Sequence, residues 1–114
     1  MNAGDVALTP LPQSDGRTKP RPAILLRRMP PFGDWLVCGV SSQLHQQVAG
    51  FDDIILPSHP DFFRSGLKAA SLVRLGFLTV LPEDHFLGVL GSISRDRHAA
   101  LLQRLSVFLT TENA

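Results

Sequence analysis

The chain has 114 residues, 44% of them hydrophobic, with 11 Lys and Arg against 10 Asp and Glu for a net charge of +1. That length predicts one domain over residues 1–114, and the composition is that of a packed globular chain, not a disordered one. The balanced charge excludes a polycation, so any nucleic-acid site has to be a local patch. Nine Gly and nine Pro predict frequent turns and short strands. The single cysteine, Cys38, excludes an internal disulfide framework. No segment has the basic start and apolar stretch of a signal peptide, and no apolar run can span a bilayer, which predicts a cytoplasmic protein with no membrane partner.

In chain order, Asp5 to Leu11 reads as a first strand closed by Pro10 and Pro12. Gln13 to Pro22 reads as a loop carrying Arg17, Lys19 and Arg21, stiffened by Pro20 and Pro22, which lack an N–H and fix φ. Charge alone makes this a solvated turn. Three cations on one short arc also suit a ligand with several phosphates. Ala23 to Arg28 is a second strand, apolar without a break at Ala23-Ile24-Leu25-Leu26 and so buried on both faces. After a turn at Met29 to Gly33, Asp34 to Ser41 is a third strand. Cys38 is a small buried hydrophobe there, and Gly39 marks a bulge or a close approach.

Ser42 to Gly50 is polar and irregular, with room for one short helical turn. Asp53 to Leu56 is a fourth strand, and Pro57 to Gly66 a loop with a weak turn at Asp61 to Arg64. Ser71 to Leu81 is a long fifth strand that Gly76 bends, and Phe86 to Ile93 is a short sixth strand or an irregular return. Ser94 caps a C-terminal helix, on which Leu101, Leu102, Leu105, Phe108 and Leu109 share one face and Arg95, Arg97 and Arg104 belong to the polar face. Short strands followed by one helix predict a mainly β fold, a closed or nearly closed small barrel.

His45, His59, His85 and His98 are scattered with no metal-ligand spacing, so no metal or other cofactor is expected. There is no Gly-x-Ser-x-Gly elbow, Walker loop or dinucleotide fingerprint, and no aromatic platform for stacked bases. What remains is polar and cationic: Arg21 at the end of the basic loop, Ser41, Ser42 and Gln43 at the end of the third strand, and Arg74 inside the fifth. Singly, each has a structural reading. Ser41 is then a strand-end hydroxyl, and Arg74 an exposed strand charge or a partner for a carboxylate such as Asp5 or Asp53.

Together these segments resemble the MazF/PemK toxins of bacterial type II toxin–antitoxin systems. The resemblance rests on Gly4-Asp5-Val6, the loop ending in Arg21-Pro22 before an apolar strand, and Val40-Ser41-Ser42-Gln43. It continues through Ser71-Leu72-Val73-Arg74, Thr79-Val80-Leu81 and the leucine-rich last helix, nearly the whole chain. It implies an SH3-like barrel of six to seven strands with a C-terminal helix, a homodimer, and a cognate antitoxin protein as partner. It also implies a metal-independent endoribonuclease on single-stranded RNA, in which the 2′-hydroxyl attacks its own phosphodiester and leaves a 2′,3′-cyclic phosphate. On that pattern Arg21, Ser41 and Arg74 are catalytic, and Arg17, Lys19, Ser42 and Gln43 position RNA. Two departures stand out. Some relatives have a histidine where this chain reads Ser14-Asp15-Gly16-Arg17, and some an aspartate where it has Gly76. Asp15 is the candidate substitute base. The competing expectation is a barrel of the same fold that binds a protein target, as the CcdB toxins do, or only its antitoxin, without cutting RNA.

Overall fold

The computed structural model describes residues 1–12 and 16–111. Its strands are β1 (Asp5–Pro12), β2 (Thr18–Met29), β3 (Asp34–Ser41), β4 (Asp53–Ile55), β5 (Ser71–Leu81) and β6 (Gly88–Ser92), and its α-helices are α1 (Phe62–Ser65) and α2 (Arg95–Thr110). All pairings are antiparallel, in the order β4-β5-β3-β2-β1-β6. The sheet curls into a half-barrel. The mainly β fold with a C-terminal helix is the one the sequence indicates.

The unbroken apolar run of β2 explains why the sheet is filled on both sides. Ile24 and Leu26 point to the face that carries α2, where they pack with Val6, Cys38, Val73, Leu101 and Leu105. Ala23 and Leu25 point to the opposite face and pack with Ala7, Trp35 and Val37. Side chains two apart share a face of a strand, so a continuous run serves two cores. Cys38 is fully buried, and burial pushes its thiol up to about 12, which leaves it inert as a nucleophile.

The loop expected from Gln13 to Pro22 is shorter than that. Residues 18–22 are strand: Pro20 pairs with Pro10, Arg21 with Thr9 and Pro22 with Leu8. The ladder between β2 and β3 starts at Ala23 opposite Gly39, so the first residues of β2 are paired on one side alone and have an edge strand's tolerance for proline. Residues 13–15 lie outside the described part, Asp15 among them.

Gly39 and Gly76 mark one irregularity between them. Cys38 pairs with Leu78 but Gly39 with Arg74, leaving Leu75, Gly76 and Phe77 of β5 bulged. Phe77 fills the space over Gly39, where a Cβ would come within 2.8 Å of its ring. A second close approach joins α1 to β6. A Cβ on Gly66 would strike the carbonyl of Leu90, and one on Gly91 the carbonyl of Arg64. Two glycines thus let two backbones meet where no strand pairing bridges the sheet's ends.

Helix α2 starts as the sequence predicts, with the Ser94 Oγ accepting the Arg97 N–H at 3.1 Å. Leu101 and Leu105 are buried and Leu102 packs beside them, whereas Phe108 and Leu109 remain largely exposed. Phe108 meets Phe51 with 4.8 Å between ring centroids. Arg97 departs from the polar-face assignment. It is mostly buried, donates from Nε to Asp61 Oδ2 at 2.8 Å and from Nη2 to Asp61 Oδ1 at 3.2 Å, and pairs with Asp53. A guanidinium can satisfy carboxylates from two directions, so it clasps β4 and the start of α1 to the first turn of α2.

Candidate anion-binding groove

The positions of Arg21 and Ser41 follow from β-ladder arithmetic. Ala23 faces Gly39 and Gly39 faces Arg74 in one cross-strand row. Two residues further along β2 and β3, on the same face, lie Arg21 and Ser41. Ser41 ends β3, and its Oγ accepts the N–H of Gln43 at 3.0 Å. This local turn occupies one lone pair and leaves the hydroxyl proton free to donate. Arg21 is half-buried, and no described residue gives it a hydrogen bond or an ion pair. A partly desolvated guanidinium without a carboxylate is a site that favours an anion.

Both residues line an open groove of about 380 Å³ to which β1, β2, the end of β3 and residues 66–69 and 71 contribute. Its floor is apolar, from Leu8, Pro22, Val40, Leu67 and Leu90; its polar lining is Arg21, Ser41, Ser42, Lys68 and Ser71. Ser71 is committed, donating its hydroxyl to the Ala69 carbonyl at 2.8 Å. No carboxylate or histidine among the described residues lines the groove.

Of the residues singled out from the sequence, Arg21, Ser41 and Ser42 come together here. Arg74 does not line the groove. It sits one row along the same sheet face with its guanidinium 5.5 Å from the Phe77 ring centroid, and the two carboxylates considered for it are engaged elsewhere. Asp53 pairs with Arg97, and Asp5 accepts the Asn2 N–H. Lys19 is exposed on β2, on the side that Arg21 takes, and Arg17 is exposed just before the strand. Gln43 is exposed beside Ser41, engaged through its backbone. The histidines lie elsewhere: His59 Nδ1 accepts the Leu56 N–H at 3.1 Å, His98 Nε2 lies 2.9 Å from the Leu26 carbonyl, and His45 and His85 are exposed in 3-10 turns. Lys68 was not legible as a site residue, since its only local signal is a cation shortly after the Gly66 turn.

Thr9, the cross-strand partner of Arg21, is fully buried, and its Oγ1 has no partner, alone in this among the buried side-chain polar atoms of the described residues. A cation and hydroxyls over an apolar floor can bind a phosphodiester and stabilise charge on its non-bridging oxygens.

Fold and groove define the class: a small half-barrel with a C-terminal helix and an open groove lined by Arg21, Ser41 and Lys68. The chain belongs to the PemK-like, MazF-like toxins of type II toxin–antitoxin systems, the family that matches residues 2–109. An antitoxin partner goes with that membership. Comparison with curated proteins gives no match. None of the described helices is long and apolar enough to cross a membrane.

Proposed function

We propose that this toxin is a metal-independent endoribonuclease that cuts single-stranded RNA in the Arg21–Ser41 groove. The 2′-hydroxyl attacks the adjacent phosphorus, the bond to the 5′-oxygen breaks, and a 2′,3′-cyclic phosphate and a 5′-hydroxyl remain. The observation that carries this reading is the half-buried Arg21, without a carboxylate partner among the described residues, in one groove with a Ser41 hydroxyl whose proton is free. In the pentacoordinate transition state, negative charge builds on the non-bridging oxygens. The Arg21 fork and the Ser41 O–H are the groups that meet it. Arg74, one row along the same face but outside the groove lining, adds positive charge near that phosphate, and Arg17, Lys19, Ser42 and Gln43 position the flanking strand. The toxin acts in the cytoplasm as a homodimer, and its antitoxin restrains it.

The test is incubation of purified wild type and Arg21→Ala with a long single-stranded RNA in EDTA. Wild type should give discrete cuts with cyclic-phosphate ends, and Arg21→Ala should lose at least about 100-fold in rate while keeping its fold. Equal cutting by both proteins overturns the role of Arg21. Intact RNA with both, from folded protein, overturns the nuclease reading in favour of a same-fold binding protein.

A further inference from the structure

We propose that Lys68 is a second phosphate-binding cation of the groove, holding the phosphate next to the one at Arg21, with the apolar floor beneath the nucleoside between them. This rests on the reading of the groove as an RNA site. Lys68 lines the same groove as Arg21, on the segment that links α1 to β5. It is exposed, and no described residue offers it a hydrogen bond or an ion pair. The segment is nonetheless fixed on both sides of it. The Leu67 N–H donates to Ser65 Oγ at 3.2 Å, Leu67 is buried, and Ser71 is tied to the Ala69 carbonyl. Lys68 is therefore displayed at a set place on the rim.

Two cations in one groove, neither with a partner among the described residues, with apolar lining residues and no described carboxylate there, match a chain of anions separated by flat apolar bodies. Single-stranded nucleic acid has that pattern. An extended peptide fits less well. It gains affinity by adding to an open sheet edge, which residues 18–22 of β2 offer on the side facing β3, but its backbone carries no charge to meet Arg21 and Lys68.

The experiment uses an RNA oligonucleotide with 2′-O-methyl sugars, which binds but cannot be cut, and measures its affinity over a salt series for wild type, Lys68→Ala and Lys68→Arg. A single-strand phosphate contact contributes about 0.7 to the slope of log K against log salt. Lys68→Ala should make the slope shallower by about that amount, Lys68→Arg should restore it, and all three should melt alike because the exposed side chain has no hydrogen bond or ion pair with a described residue. With cleavable RNA the loss should appear in KM. An unchanged slope in Lys68→Ala overturns the proposal. So does a Lys68→Ala variant that binds RNA normally but loses affinity for polyglutamate, which makes the groove a protein site. A Lys68-dependent slope in a protein that leaves cleavable RNA intact upholds Lys68 and sinks the nuclease reading alone.

Discussion

Asp61 accepts both the Nε and Nη2 hydrogens of Arg97 and, at 3.3 Å, the backbone N–H of Ser94. The Arg97 hydrogen bonds hold its carboxyl down to about 2, below the ordinary 3.8. Because the folded value lies below the unfolded one, the stabilisation is complete above about pH 4 and is lost as pH falls through about 2. It amounts to something on the order of 1–2 kcal/mol. Urea unfolding across that window should show wild type losing stability faster than Asp61→Asn; parallel curves would mean that the carboxylate does not set the acid limit. None of this was legible in the sequence. Arg97 falls at a polar-face position by helical spacing, and its carboxylates come from β4 and α1, distant in the chain. The Ser94 cap was legible because capping depends on neighbours three residues apart. Arg21 and Ser41 were legible as residue types, but the free proton of Ser41 and the lack of a partner for Arg21 among the described residues needed the fold.

Among the elements, β3 and β5 match their expected bounds because apolar runs and flanking turns define a strand locally. The start of β2 did not, since whether proline is tolerated depends on which neighbour pairs there. The contact between α1 and β6 makes a sharp test. A methyl on Gly91 would meet the Arg64 carbonyl and Ser65, whereas a methyl on Gly88 in the same strand meets open space. Gly91→Ala should destabilise the protein by about 2 kcal/mol or more, read as a lower melting temperature. Gly88→Ala should stay within about 0.5 kcal/mol of wild type. Similar melting temperatures for the two variants would show that the seam yields.

At the scale of the whole molecule, apolar surface is left over. Leu78 and Val80 stay exposed on the sheet face that carries α2, and Val107, Phe108 and Leu109 on the last turns of the helix. Such surface marks an association site, and we expect light scattering to give the mass of two chains, reduced to one by Phe108→Glu. A monomeric wild type at micromolar concentration would refute the homodimer. The order of the segments was legible enough to indicate the family. The part of the groove that Lys68 lines was not, because Lys68 and Arg21 come to one groove only once the chain has folded. That part has one more consequence. Gly66 and Leu90 both line the groove, and they are also where the two backbones touch. At that point of the groove main chain lies against main chain, and Gly66 has no side chain to hold the two backbones apart. A contact between two backbones cannot relax by a change of rotamer, so a ligand meets this part of the rim already in place and binding demands little further ordering of it.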